Sequence, residues 1–222
     1  MHPAFSVLIF TVTSGAGYGL LAWLGAGQLL GYTQGFIVAQ QLSLGIVAMV
    51  LISIGLASST MHLANPKNAW RSFSRFRTSW LSREAVFAIL LYPVAALYAA
   101  AIFLQWPSIN LLAGLSIILA LVTLFTTSMI YASLKTIRQW NTPMVPALFM
   151  AYALISGGSL FLAVNSFFGA LNYQLLAVVI GLVLITLALK LVYFFWQGKP
   201  QGATIQTATG FSQASVRLLD AG

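Results

Sequence analysis

Six long apolar runs account for most of this 222-residue sequence, at about residues 4–30, 37–61, 85–105, 109–134, 144–168 and 172–196. An α-helix needs about 20 apolar residues to cross a hydrocarbon core of roughly 30 Å, and each run is long enough. The runs are continuously apolar and do not alternate with a period of two, which favours helices over a β-barrel. The sequence therefore predicts an all-α integral membrane protein with about six transmembrane helices.

The composition supports a membrane domain that is followed by a short polar tail. Hydrophobic residues make up 60% of the chain and charged residues only 5%, whereas a soluble domain carries about a quarter charged residues. We expect a transmembrane domain at residues 1–196 and a polar cytoplasmic tail at residues 197–222. The first run is expected to be a retained helix, because it is too long for a signal peptide and lacks a basic n-region.

The basic residues predict the orientation of the chain in the membrane. They follow the second, fourth and sixth runs, and none lies after the first, third or fifth run. The positive-inside rule then places that side, with both termini, in the cytoplasm. This topology explains the net charge of +8 without a nucleic-acid partner. The ten residues are Lys67, Arg71, Arg75, Arg77, Arg83, Lys135, Arg138, Lys190, Lys199 and Arg217.

Few side chains in this sequence can carry chemistry. The acids are Glu84 and Asp220, the histidines are His2 and His62, and there is no cysteine. Without cysteine the chain cannot ligate an iron–sulfur cluster through thiolates. With two histidines, one of them next to the terminus, we expect no haem and no other metal site in this chain.

His62 and Glu84 are the best candidates for a functional pair. His62 ends the second run and Glu84 opens the third, so both are expected near the cytoplasmic interface. Ionisable residues at such a depth are functional candidates, and histidine titrates near neutral pH. In the alternative interpretation, the helix dipoles favour a histidine at one helix end and a glutamate at the next helix start. In that case Ser82 would be the N-cap just before Glu84.

The connection between the second and third runs is the longest and carries half of the basic residues. Lys67, Arg71, Arg75 and Arg77 in this connection are candidates for docking a soluble partner. A segment that only anchors the protein to the headgroup layer would have the same mixture of basic and aromatic residues. Both interpretations remain open at this point.

Two patches of small residues predict close helix packing. They lie at residues 14–19 (SGAGYG) and at residues 156–159 (SGGS). Small side chains let neighbouring backbones approach closely in lipid. Packing is the favoured interpretation, and a cofactor contact is the alternative.

Three segments resemble one known family. These are residues 57–66 (ASSTMHLANP), 69–73 (AWRSF) and 79–84 (SWLSRE). They resemble the membrane anchor subunits of dimethyl-sulfoxide-reductase-type molybdoenzymes, in which such motifs end the second helix and open the third. Residues 10–20 (FTVTSGAGYGL) look most like the sulfite dehydrogenase branch of that family.

The resemblance implies a multi-pass subunit of the bacterial inner membrane that is not catalytic by itself. Its implied partners are a molybdopterin catalytic subunit and an iron–sulfur electron-transfer subunit. Its implied ligand is a quinone, either ubiquinone or menaquinone, with His62 and Glu84 at the quinone-associated positions. Anchors of this family commonly have eight helices, whereas this sequence shows six.

Three other functions remain open at the level of the sequence. One is the anchor of a dimethyl-sulfoxide-type terminal reductase that oxidises quinol. Well-known enzymes of that type export their catalytic subunits, so the predicted cytoplasmic face favours the sulfite-oxidising branch. Another is a secondary transporter, which would require polar or broken helices at mid-membrane. The last is a purely structural anchor without a quinone site.

Overall fold

The computed structural model describes residues 5–60, 73–137, 139–169 and 173–197. Within these residues the regular structure is entirely helical, and six helices are long and apolar enough to cross a membrane. The prediction of an all-α bundle with about six transmembrane helices is confirmed. The helices are α1 (Phe5–Leu30), α2 (Val38–Thr60), α3 (Trp80–Leu104), α4 (Ile109–Ala132), α5 (Met144–Phe167) and α6 (Tyr173–Gln197).

The start of α3 differs from the sequence-based expectation. The helix begins at Trp80 rather than near residue 85, and its N-cap is Ser79, whose side chain accepts a hydrogen bond from the Ser82 amide at 3.4 Å. The interpretation of Ser82 as the N-cap is therefore wrong. Arg83 and Glu84 continue the helix past its first residues, so Glu84 lies inside the helix rather than at its opening.

The α1–α5 interface is built on the two small-residue patches. Gly19 lies directly against the backbone of Ala153 and next to Gly157, so that no side chain fits between the two helices there. Small residues on both sides allow this approach, and the resulting dispersion contacts stabilise helix pairs in lipid. The prediction that the patches at residues 14–19 and 156–159 serve helix packing is confirmed.

Helix α1 also approaches its other two neighbours through glycines. A Cβ atom added to Gly17 would lie 2.7 Å from the carbonyl oxygen of Ala48 in α2. A Cβ atom added to Gly25 would lie 2.9 Å from the carbonyl oxygen of Ala113 in α4. Helix α1 is thus the central helix, packed against α2, α4 and α5, and it includes one π-helical turn at Phe10–Ser14.

The remaining helices pack around this centre. Helix α3 packs along α4 and touches α2 only loosely, and α6 packs mainly on α5. The hydroxyl of Tyr193 in α6 donates a hydrogen bond to the Gln139 carbonyl at 2.9 Å, beyond the end of α4. The start of α3 and the ends of α4 and α6 therefore lie at one end of the bundle, which we call the Glu84 end.

Candidate functional site

Glu84 is buried inside the helix bundle, with 3% of its surface exposed. It lies on α3 and faces α4, where the Thr127 hydroxyl donates a hydrogen bond to Oε1 of Glu84 at 2.8 Å. A charged carboxylate is costly in such surroundings unless it is hydrogen-bonded or exchanges a proton. Within the described transmembrane helices Glu84 is the only acidic residue.

Thr127 can accommodate Glu84 with or without a proton. Its hydroxyl oxygen lies 2.8 Å from Oε1 of Glu84 and 2.9 Å from the Thr123 carbonyl oxygen. A hydroxyl has one proton to donate and two lone pairs that accept. With an ionised Glu84, Thr127 donates to the carboxylate. With a protonated Glu84, Thr127 donates to Thr123 and accepts from the carboxyl group, so both states keep a hydrogen bond.

Tyr18 is a buried polar residue of the bundle that sequence reasoning missed as a candidate. Its side chain is 1% exposed, and its hydroxyl group is buried without a hydrogen-bond partner. An unpaired buried hydroxyl is rare in proteins and points to an absent partner such as a ligand or water. The signal in the sequence was a tyrosine set among glycines in the middle of α1.

The segment before α3 is folded back onto the helix by Arg83. The guanidinium group donates hydrogen bonds to the carbonyl oxygens of Phe76 at 3.0 Å and Arg77 at 2.8 Å. It also lies 4.1 Å from the ring centre of Trp80, in a cation–π contact. These contacts hold the backbone at Phe76 and Arg77 against the first turn of α3, which begins at Trp80, four residues before Glu84.

The structure describes some of the predicted site residues and not others. Glu84 is buried, and Arg75 and Arg77 are exposed at the Glu84 end. His62, Lys67 and Arg71 lie outside the described residues, as do residues 198–222 of the predicted tail. The pairing of His62 with Glu84 therefore stays a prediction.

The described groups of this site are suited to hydrogen bonding and proton exchange. Across residues 5–60, 73–137, 139–169 and 173–197, no three His, Cys, Asp or Glu side chains form a possible metal site. The site combines the Glu84 carboxyl group with the Thr127 hydroxyl, and the unpaired Tyr18 hydroxyl is buried in the same bundle. Such groups can donate hydrogen bonds to carbonyl oxygens and pass protons to a bound molecule.

Comparison with known proteins supplies the context for this site. Residues 1–216 match the family described as DMSO reductase anchor subunit (DmsC). The chain belongs to this DMSO reductase anchor subunit family. It is also 33% identical over 237 residues to a sulfite dehydrogenase subunit of Allochromatium vinosum, an alignment that covers 97% of this chain and 72% of that relative. No solved structure matches the chain.

The family resemblance noted in the sequence is thus confirmed. Family membership and the six membrane-spanning helices identify the protein as a multi-pass membrane anchor of a molybdoenzyme complex.

Proposed function

We propose that this anchor is the quinone-reactive subunit of a molybdopterin and iron–sulfur oxidoreductase in the bacterial inner membrane. It would pass electrons from an iron–sulfur subunit to the quinone pool while the catalytic subunit oxidises sulfite. The relative from Allochromatium vinosum, named as a sulfite dehydrogenase subunit, supports the substrate. The observation that supports a quinone site is the buried carboxyl group of Glu84, which is hydrogen-bonded to Thr127 at the Glu84 end.

A bound quinone takes up two electrons and two protons to become quinol, so its site needs proton-exchanging groups near an electron donor. Glu84 supplies one such group, and Thr127 stabilises it both before and after it gives up a proton. The Tyr18 hydroxyl, buried and unpaired, is a third polar group, free to donate a hydrogen bond to a quinone oxygen.

His62 completes the proposed site. Helix α2 is described to Thr60, two residues before His62, and α3 begins at Trp80. In the proposed arrangement His62 donates a hydrogen bond and then a proton to one quinone oxygen. Glu84 returns a proton to His62 from the cytoplasmic side, and a second proton transferred by the same route to the other quinone oxygen, with the second electron from the iron–sulfur subunit, would complete the quinol.

The partner proteins would dock at the Glu84 end. We propose that this end faces the cytoplasm, because all described Lys and Arg residues lie toward it. Arg75 and Arg77 are exposed there, in a segment that Arg83 holds in place. Together with Lys67 and Arg71 they form the proposed docking surface for the iron–sulfur subunit.

Replacement of Glu84 tests the quinone site. Glu84→Gln keeps the size of the side chain and an acceptor for the Thr127 hydroxyl, but it cannot exchange a proton. We expect quinone-linked turnover of the intact complex to fall by about 10²- to 10⁴-fold, the usual contribution of a positioned acid–base group. Sulfite oxidation with an artificial acceptor that takes electrons directly from the soluble subunits should be unchanged.

A matched pair of tyrosine variants provides the control. Tyr18→Phe removes the buried, unpaired hydroxyl of α1, and Tyr193→Phe removes a buried hydroxyl of α6 that donates to the Gln139 carbonyl at 2.9 Å. Only Tyr18→Phe is expected to lower quinone-linked turnover. Full quinone-linked turnover in Glu84→Gln would show that the quinone site lies elsewhere.

Charge reversal tests the docking surface. In the double variant Arg75→Glu and Arg77→Glu, both side chains are exposed, so the helices should remain folded. We expect the soluble subunits to be lost during purification of the complex, because four charge units change on the docking surface. The control for charge reversal outside the docking surface is Lys135→Glu, which changes two charge units at an exposed residue after α4 at the same end. If the complex co-purifies intact, the segment only anchors the protein to the membrane surface.

A second function is favoured by the name of the family. In an anchor of a dimethyl-sulfoxide-type terminal reductase, the same site would release protons from quinol instead of supplying them to quinone. The two directions are distinguished by assaying the intact complex with sulfite plus quinone and with dimethyl sulfoxide plus quinol. Sulfite-dependent quinone reduction supports the first proposal, and quinol-dependent sulfoxide reduction alone would replace it.

A further inference from the structure

A deep apolar groove separates α2 from α3. Its volume is about 460 Å³, and its lining includes Leu24, Gly45, Met49, Ala95, Ala99 and Ile102. The groove extends along α2 from Gln41 to Ile54, a length of about 20 Å at 1.5 Å per helical residue. This covers about two-thirds of a hydrocarbon core of roughly 30 Å.

The groove has a closed floor and an open side. Leu24 and Ile102 in the floor are 1% and 2% exposed, whereas Ile46 and Val50 on the rim are 63% and 50% exposed. Small residues on both walls, Gly45 in α2 and Ala99 in α3, keep the groove wide. A molecule dissolved in the bilayer can therefore enter it sideways without any movement of the helices.

Polar groups mark the end of the groove nearer the Glu84 end. Ser53 and Tyr92 face each other across α2 and α3, and their hydroxyl oxygens are 2.8 Å apart. Tyr92 follows Glu84 by eight residues on α3, an axial distance of about 12 Å at 1.5 Å per helical residue. The groove thus leads from the lipid toward the hydroxyl and carboxyl groups of the candidate site.

We propose that this α2–α3 groove binds the isoprenoid chain of the quinone, with the ring directed past Ser53 and Tyr92 toward Glu84. The proposal rests on the proposed function, because it assumes that the ring binds at the Glu84 end. It adds that the quinone enters between α2 and α3 and that the chain, as well as the ring, determines its affinity.

The structure favours an isoprenoid chain over a phospholipid acyl chain. A phospholipid entering from the far end would place its phosphate near Gln41 and Ile102, and the described residues at that end include no Lys or Arg. A methyl-branched chain also needs a wider channel than a linear one, which the small residues of the walls provide. The hydroxyls of Ser53 and Tyr92, at the end of the groove nearer Glu84, suit an uncharged ring with carbonyl oxygens.

The test compares two quinones on variants that fill the groove. Gly45→Leu is sterically feasible, because a Cβ atom there would lie 3.8 Å from the nearest atom of Leu24, an ordinary contact. Ala99→Leu fills the opposite wall. Gly181→Leu is the matched control, because a Cβ atom on that glycine of α6 meets nothing within 4 Å.

The purified full-length variants are placed in nanodiscs of synthetic phosphatidylcholine. Dissociation constants are measured for a long-chain ubiquinone and for a ubiquinone ring without a chain. We expect Gly45→Leu and Ala99→Leu to weaken binding of the long-chain quinone about tenfold or more, the usual penalty for a misfit in an apolar site. Binding of the chain-free ring should be unchanged, and Gly181→Leu should affect neither ligand.

The other outcomes overturn the proposal in distinguishable ways. Unchanged affinity for the long-chain quinone in both groove variants would mean that the chain lies elsewhere and that the groove holds lipid. An equal loss of affinity for both quinones would mean that the variants disturb the ring site. If the unaltered chain binds neither quinone, the proposed function fails as well. If Glu84→Gln weakens quinone binding and the groove variants do not, the proposed quinone site is supported and the proposed role of the groove is wrong.

Discussion

The first and last helices of the bundle differ in a way that hydrophobicity alone would not predict. Helix α6 has the highest mean hydropathy of the six, 2.8, yet only 17% of its most apolar stretch is buried by protein. Helix α1 has the lowest, 1.6, and 56% of its stretch is buried. The most apolar helix is therefore the least enclosed by other helices.

The most apolar helix is the least buried because the helices are surrounded by lipid rather than water. Lipid tails are as apolar as leucine, so burying an apolar helix against another helix gains little hydrophobic free energy. Close contact gains dispersion energy instead, and close contact requires small residues. Gly17, Gly19 and Gly25 of α1 each lie against a different neighbouring helix, whereas nothing lies within 4 Å of the Cβ position of Gly181 in α6.

The largest expected effect is on the α1–α5 interface. In Gly19→Leu the new side chain would overlap the backbone carbonyl group of Ala153. That carbonyl group is part of α5, so the overlap can be relieved only if α1 and α5 move apart. We expect a loss of stability beyond the roughly 1–3 kcal/mol that is typical of overpacking. Thermal unfolding in detergent, followed by circular dichroism, measures the change.

The same substitution at the other end of the chain supplies the control. Gly181→Leu introduces an identical side chain into α6, where no neighbouring helix is close. Its effect should stay within about 0.5 kcal/mol, as for surface substitutions. Equal destabilisation by both variants would contradict the conclusion that small residues, rather than apolar ones, determine the packing.

A smaller effect is expected from the loss of one hydrogen bond of α1. The Trp23 indole donates to the Leu154 carbonyl in α5 at 2.8 Å. Trp23→Phe should cost about 0.6 kcal/mol, the average for hydrogen bonds between transmembrane helices. The comparison is with Leu184→Ala in α6, where the side chain is 61% exposed. A larger loss from Leu184→Ala than from Trp23→Phe would mean that the α6 surface is covered in the assembled protein.

Sequence reasoning found the acidic member of the candidate site because a lone acid in an apolar chain is conspicuous. It placed Glu84 at the opening of a helix, since the apolar run begins just after it. The structure extends α3 back to Trp80 and buries Glu84 against Thr127. That contact joins residues 43 positions apart, and no local pattern in the sequence indicates which of the several α4 hydroxyls faces α3.

The sequence by itself determined the number of helices, the location of the two small-residue patches and the family. Twenty apolar residues in succession have one stable conformation in a bilayer, because every backbone polar group must be bonded within its own helix. Only the tertiary structure decided which helix is central, that the Tyr18 hydroxyl is buried without a partner and that α2 and α3 enclose a groove. These features depend on which helix faces meet. In lipid that choice rests on small differences in close packing, which the apolar pattern of a single helix does not contain.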